Sequence, residues 1–177
     1  MWKAALLAAM WLPAAGPHGA HAMTLAELTK ASAVFSDMIQ KTLQITASAE
    51  RRIGQANAEM DVQVRGPQLS PEEIQQVFGR VDGHLRTARA HLAEAKGQTR
   101  KLVQVYQRQL TKERKGRRAP PAAETEEDRL IMVRYSEAYR EAETRSQRAY
   151  ERAKLALMQA EERFLALKKT AGGSPGN

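Results

Sequence analysis

Two histidines beyond the N-terminal segment, His84 and His91, are the first residues to test for metal chemistry. Their spacing of seven places them on one helical face but two turns apart, about 10.5 Å along the axis. One metal ion cannot be shared over that distance. Their one-turn neighbours Thr87 and Ala88 supply no ligand. We therefore predict neither a metal site nor a cofactor.

Paired acids are the next candidates, since two carboxylates can divide acid and base roles between them. The pairs are Glu72–Glu73, Glu126–Glu127 and Glu161–Glu162, and each falls at a helix start or on a polar face. The chain also lacks a Gly-x-Ser-x-Gly elbow, a Gly-rich phosphate loop and a His-Glu-x-x-His motif. These observations predict that the protein is not an enzyme.

Charge is concentrated in one region, where residues 112–128 read KERKGRRAPPAAETEED. Residues 67–118 hold twelve basic against five acidic side chains, whereas residues 23–66 and 119–177 are balanced. Part of this pattern complements the dipoles of a helix end and the next helix start. The remaining excess predicts a basic tip that either is simply solvated or binds an anionic envelope polymer or an acidic protein. Its residues are Arg108, Lys112, Arg114, Lys115, Arg117 and Arg118.

Nucleic acid is the less favoured partner for this tip. No aromatic residue is interleaved with the basic run to stack on bases. Three tyrosines, Tyr106, Tyr135 and Tyr139, nevertheless fall within three helical turns of it. They could form an aromatic interface beside the cations, but core packing with the hydroxyls near solvent is the favoured interpretation.

The first 22 residues have the pattern of a cleaved signal peptide. Lys3 precedes an apolar run that ends at Leu12, Pro13 breaks it, and Ala20-His21-Ala22 supplies a cleavage site. The run is shorter than the roughly 20 residues of a membrane anchor. We expect a mature chain from residue 23, periplasmic or secreted, with 27 basic and 20 acidic residues once Lys3 is removed, no Cys and no later transmembrane segment.

Three long helices should account for most of the mature chain, giving an all-α fold. Each begins with a hydroxyl residue followed three positions later by an acid, the pattern of a capping box. Gly and Pro mark the ends. The predicted helices span about 25–65, 71–115 and 126–170, in a single helical coiled-coil domain (23–170) with a flexible tail at 171–177.

Apolar residues predict how these helices associate. In the second helix they alternate by four and three residues from Ile74 to Tyr106; in the third they do so from Met132 to Leu167, with a stutter after Ala149. Folding at Pro120-Pro121 would pair residues whose numbers sum to 241 or 242, an elongated antiparallel hairpin. The first helix should pack along it to complete a three-helix bundle, or else pair with another copy.

The predicted function is that of an exported, non-enzymatic structural or adaptor protein of the bacterial cell envelope. It would self-associate or form a coiled coil with a protein partner through its apolar stripe and basic tip. The alternative is a periplasmic holdase-chaperone-like or anion-binding module. In general plan the chain resembles exported helical-hairpin chaperones, without their strand-rich body, and exported helical subunits of secretion and conjugation machines. Neither resemblance assigns a role to a residue.

Overall fold

Three long helices make up the computed structural model, which describes residues 23–65, 69–116 and 125–172. Helix α1 spans Leu25–Arg65, α2 spans Pro71–Gly116 and α3 spans Glu126–Gly172. Each bound is within two residues of the predicted one. Residues 171–172, expected in a flexible tail, belong to α3. The predicted signal peptide (residues 1–22), the predicted turn at Pro120-Pro121 and residues 173–177 lie outside the described residues.

All three capping boxes form as predicted. Glu27 Oε2 accepts a hydrogen bond from the Thr24 amide at 2.9 Å, and the Glu27 amide donates to Thr24 Oγ1 at 3.2 Å. The same reciprocal pair joins Ser70 with Glu73 and Thr125 with Asp128. Backbone hydrogen bonding at the second start lowers the pKa of Glu73, because it stabilises the carboxylate. Local hydrogen bonds therefore fix where each helix begins.

The helices form an up-down-up bundle. Tyr106 and Tyr135 lie with ring centroids 5.3 Å apart, and Phe78 and Phe164 lie 5.6 Å apart. The residue numbers of these two pairs sum to 241 and 242. The predicted antiparallel register of α2 and α3 is therefore confirmed near both ends of the helix pair. Helix α1 runs parallel to α3, since Glu50 bonds Arg152 and Asp61 bonds Arg163 with the same separation of 102 residues.

Helix α1 packs within its own chain, against both other helices. This is the first of the two arrangements expected for it. Its buried side chains follow a 3.5-residue repeat, Leu28, Phe35, Thr42, Thr46, Ala49, Ile53, Ala56 and Met60. Ala31 and Met38 are half-buried and pack against this core, and Thr46 is buried at mid-helix where its neighbour Ile45 is only half-buried.

The apolar stripes of α2 and α3 also face the interior. Val81, Leu85, Ala88, Leu92, Ala95 and Leu102 are buried on α2, and every predicted α3 position from Tyr135 to Phe164 is buried. The predicted stutter is present, because Ala149, Ala153 and Leu157 are all buried although two successive steps of four residues separate them. Ile131 is buried in place of the predicted Met132, and Val77 is buried near the start of α2. The stripes are thus covered within the chain.

The core is divided into two apolar clusters. One, containing Phe35, Leu102, Tyr135 and Tyr139, lies toward the end where α2 meets α3 in sequence; the other, from Ala49 to Met60 in α1, extends to Phe164. Between them lie Thr42, Thr46, Thr99 and Ser146, here called the hydroxyl layer. The threonines donate to carbonyls four residues earlier, Thr46 to Thr42 at 2.7 Å. Small polar side chains therefore interrupt the core at mid-length.

The glycine pair Gly79 and Gly83 does not bring helices together. A Cβ atom built on either residue meets nothing within 4 Å. No neighbouring helix in the described part of the chain approaches either glycine closely, and both lie within α2. None of the three described helices carries a stretch apolar enough to cross a bilayer.

Candidate anion-binding surface on α2

The predicted basic tip is only partly described. Arg108 is exposed near the end of α2, and Lys112 Nζ lies 3.8 Å from Glu27 Oε1 at the start of α1. Arg114 and Lys115 lie in the last turn of α2, but their side chains, together with Arg117 and Arg118, lie outside the described residues. The structure thus places the first cation of the tip in solvent and the second beside a carboxylate.

Three further cations extend this surface along α2. Lys96, Arg100 and Lys101 are exposed, as Arg108 is. None of the four forms an ion pair with a carboxylate in the part of the chain that the structure describes. We call Lys96, Arg100, Lys101 and Arg108 the α2 basic face. From residue 86 to 112 the helix holds seven basic residues and one acid, Glu94.

Sequence reasoning missed these three residues although their signal was present. The excess of twelve basic over five acidic residues covers the whole of α2. The prediction, however, used only the densest part of it, the run that begins at Arg108. What sequence could not supply was the pairing of each cation. That depends on which carboxylates α1 and α3 bring alongside, and therefore on the packing of all three helices.

Some cations elsewhere on the bundle pair with carboxylates of a neighbouring helix. Arg80 donates two hydrogen bonds to Glu59 at 3.1 and 3.0 Å, and Arg89 Nη2 lies 2.6 Å from Glu161. The bond to Glu59 raises the pKa of Arg80, because it favours the charged guanidinium. Such exposed pairs contribute about 0–1 kcal/mol each, but they remove positive potential where they form.

The packing of the bundle explains why the α2 basic face lacks such partners. Arg80 and Lys112 lie on the side of α2 toward α1, and Arg89 lies toward α3. Lys101 and Arg108 share the heptad position of Arg80, and Lys96 shares that of Arg89, whereas Arg100 lies on the outer side of the helix. The residue numbers in the α1–α2 pairs Arg80–Glu59 and Lys112–Glu27 both sum to 139. The same register places Met38 and Ala31, rather than carboxylates, opposite Lys101 and Arg108.

The three tyrosines lie in the core and on its margin. Tyr135 is 1% exposed and Tyr139 is 8% exposed, whereas Tyr106 is half-buried and its hydroxyl lies 3.2 Å from Ser136 Oγ. The rings of Tyr106 and Tyr139 stack with centroids 3.9 Å apart, and Phe35 packs on Tyr135 and Tyr139. Core packing, the favoured interpretation, describes this arrangement; an accessible aromatic interface does not fit Tyr135 or Tyr139.

Tyr139 combines burial with a charged neighbour. Burial raises its pKa to about 12, and a hydrogen bond to Glu143 adds to the effect. Both causes oppose formation of the phenolate, the first by withholding water and the second by placing a carboxylate beside the hydroxyl. A tyrosine held neutral in this way is a packing residue rather than a nucleophile or base.

The two histidines and two of the paired acids have identifiable surroundings in the bundle. His84 Nδ1 lies 3.4 Å from Arg52 Nη1, and His91 is half-buried. Across residues 23–65, 69–116 and 125–172, no three His, Asp or Glu side chains lie close enough to hold a metal ion. Glu73 caps α2 and Glu161 pairs with Arg89. Each of these two acids has a structural contact that accounts for its position.

A different surface is present on α3. Leu155, Met158 and Leu165 are 48–58% exposed and recur at three- and seven-residue steps on one outer side of the helix. The described part of α2, by contrast, contributes no exposed large apolar residue. The rod therefore has one basic, non-apolar surface and one surface with apolar side chains in solvent.

Comparison with protein-family models, curated sequences and solved structures gives no match. The functional argument accordingly depends on the residues of this chain.

Proposed function

We propose that this chain is an exported, non-enzymatic structural or adaptor protein of the bacterial cell envelope, acting in the periplasm or after secretion. A periplasmic subunit of a secretion or conjugation machine is one form that this function would take. The signal-peptide pattern of residues 1–22 supports export. The bundle supports the adaptor role, because helices of 41 to 47 residues make a rod about 60–70 Å long.

One observation carries this proposal: the apolar stripes of all three helices close on one another within a single chain. The stripe predicted to join a partner is therefore occupied. Partner contact is assigned instead to the outer surfaces, where Leu155, Met158 and Leu165 offer an apolar site on α3. Exposed apolar side chains of this kind are usual at protein–protein contacts.

Site-specific crosslinking in cells tests the adaptor role. The full chain would carry a photoreactive amino acid in place of Met158, which is 48% exposed, or of Thr144, an exposed polar residue on the same helix. We expect a discrete crosslinked envelope protein from position 158 and none from position 144. Equal labelling from both positions, or none from either, would contradict the assignment to α3.

Export has its own test. The chain would be produced with its first 22 residues in a bacterium with a periplasm, and osmotic-shock and cytoplasmic fractions would be compared by intact mass. We expect the shock fraction to contain protein that begins at Met23, the residue after Ala22. Full-length protein confined to the cytoplasmic fraction would refute export.

The α2 basic face favours a second candidate, an anion-binding or holdase-like module. Exposed and unpaired cations attract acidic clients over about one Debye length, ~8 Å at physiological salt. Salt separates the two candidates. Binding to envelope extracts that persists at about 0.5 M NaCl favours apolar contact through α3, whereas binding that is lost favours the cations.

A further inference from the structure

We propose that the α2 basic face binds a linear polyanion that lies across the outer surface of the helix. This inference rests on the proposed function, because it names the chemical class of one partner of the exported rod. Its residues, Lys96, Arg100, Lys101 and Arg108, are exposed and are not neutralised by any carboxylate in the described part of the chain. They are thus free to pair with charges from another molecule.

The positions of the four cations suit a chain rather than a compact anion. Residues 96 and 108 are separated by about 18 Å along the axis at ~1.5 Å per residue. Lys101 and Arg108 repeat after two turns on the same side of α2, with Arg100 next to Lys101. A small anion on this convex surface would contact one or two of them. Lys96 lies on the α3 side of the helix and Lys101 and Arg108 lie on the α1 side, with Arg100 between them. A flexible polymer that crosses the outer surface of α2 obliquely would meet all four.

The residues between and beside the cations favour the same ligand. Ala90, Ala93, Gln104 and Gln107 are exposed on α2, and a Cβ atom built on Gly97 meets nothing within 4 Å. Short and uncharged side chains leave the surface open beside the basic residues. A polymer could therefore approach the helix without displacing bulky groups.

The lack of exposed apolar anchors on described α2 argues against other ligands. A specific protein interface needs a desolvated core, usually with aromatic or Arg anchors. A helix lying on a bilayer needs an apolar side, and single-stranded nucleic acid is held by stacking on aromatic rings. The bundle keeps Tyr135 and Tyr139 buried. Electrostatic pairing with a polyanion requires none of these features.

Binding carried by counterion release has a defined dependence on salt. For a flexible strand, log affinity falls against log salt with a slope of about 0.7 per neutralised charge, hence ~2.8 for four cations. Between 50 and 200 mM NaCl this amounts to a loss of about 50-fold. Other cations near the tip add to the salt slope measured for the unsubstituted protein, here called the parent. The difference between parent and variant isolates the α2 basic face.

The experiment uses the purified mature chain and two labelled probes, long-chain inorganic polyphosphate and poly-L-glutamate, followed by fluorescence anisotropy across a salt series. In the test variant Lys96, Arg100, Lys101 and Arg108 become Gln. The control variant neutralises four exposed cations on α3, Arg134, Arg140, Arg148 and Lys169. Both variants lose the same net charge, and circular dichroism checks that each remains helical.

We expect parent and control to bind, and the test variant to lose about 2.8 from the salt slope and at least tenfold in affinity at 50 mM NaCl. Binding of both probes shows recognition of polymeric charge, and binding of polyphosphate alone narrows the class to phosphate polymers. Equal losses in test and control variants would overturn the proposal, since net charge would then explain binding. So would failure of both probes, including the case in which only a folded acidic protein binds.

A failure of this inference can be distinguished from a failure of the proposed function. Crosslinking at Met158 reports on α3 in cells, whereas polymer binding reports on α2 in purified protein. Loss of polymer binding with a retained crosslink would overturn the inference alone. Retained polymer binding with no crosslink would overturn the adaptor role alone.

Discussion

Replacing Ser146 with Ala should stabilise the protein, although Ser146 is in the centre of the core. Its side chain is 1% exposed, and its hydroxyl has no hydrogen-bond partner among the residues that the structure describes. The threonines of the hydroxyl layer differ, because each donates to a carbonyl of its own helix. Ser146 therefore contributes a buried polar group without the bond that normally offsets its burial.

The magnitude follows from two contributions. A buried and unsatisfied polar group costs about 1–3 kcal/mol, and Ala is favoured over Ser within a helix by about 0.5 kcal/mol. The void left by one oxygen atom offsets part of this gain. We expect a net increase of about 1–2 kcal/mol in the free energy of unfolding. For a chain of this length that corresponds to a rise in Tm of about 3–6 °C.

Ser136→Ala is a matched control, since it makes the same chemical change on the same helix. Ser136 Oγ lies 3.2 Å from the hydroxyl of the half-buried Tyr106, so removing it leaves that hydroxyl without this partner. We expect no stabilisation there, and a difference of about 1–2 kcal/mol between the two variants. Urea unfolding followed by circular dichroism measures both. A loss of stability in Ser146→Ala equal to that in Ser136→Ala would refute the argument.

Three other substitutions test the packing and the titration of the core. Gly79→Ala together with Gly83→Ala should stabilise α2 by up to about 2 kcal/mol, because each new Cβ meets nothing within 4 Å; unchanged or reduced stability by urea unfolding would show that these glycines are needed. Leu102→Ala should cost about 2–5 kcal/mol because Leu102 is 1% exposed, whereas Leu165→Ala on the surface should change stability by less than about 0.5 kcal/mol, and equal effects would contradict the assigned core. The raised pKa of Tyr139, about 12, means that the unfolded chain releases this proton first, near pH 10. The contribution of the neutral Tyr139 hydroxyl to the free energy of unfolding is therefore complete below pH 10 and is lost as pH rises toward 12. The urea midpoint of Tyr139→Phe should decrease less over that range than that of the parent protein. An identical decrease would contradict the assignment.

The hydroxyl layer also bears on the alignment of the three helices. It separates an aromatic cluster at one end from a larger aliphatic cluster at the other. Small polar residues contribute less burial than the Leu and Phe layers on either side. A polar layer in a helical core does, however, favour one alignment of the helices, because a shifted register would place hydroxyls against large apolar side chains.

Much of the fold could be predicted because its determinants are local. Thr24, Ser70 and Thr125 each precede an acid at the spacing of a capping box, and all three boxes form. The register of α2 against α3 was predictable because the two apolar stripes, apart from the stutter in α3, have the same repeat and must match. In α1 the stripe contains Ala, Ser and Thr, so neighbouring faces differ little in hydrophobicity. Burial of Thr46 rather than its neighbour Ile45 therefore could not be predicted.

The candidate site was less accessible to sequence reasoning. A count of charges located the basic region, but it could not distinguish Arg89, which pairs with Glu161, from Lys96 one heptad later, which has no such pair. That difference depends on the contact between α2 and α3. Likewise, the spacing of Tyr135 and Tyr139 allowed either a surface or a core position, and only the third helix, through Phe35, decides it.

The most direct test of the account concerns the packing of α1 within its own chain, because this leaves the outer surfaces as the sites for partners. Glu50 and Arg152 would both be replaced with Cys, since Arg152 Nε donates to Glu50 Oε1 at 2.7 Å. A short bis-maleimide would then be applied to dilute protein. A control would pair Cys at position 50 with Cys at 163, which lies about 16 Å further along α3. We predict a rapid crosslink within the monomer for 50 and 152 and none for the control. Crosslinked dimers in place of internally linked monomers would show that α1 pairs between chains and would contradict the account.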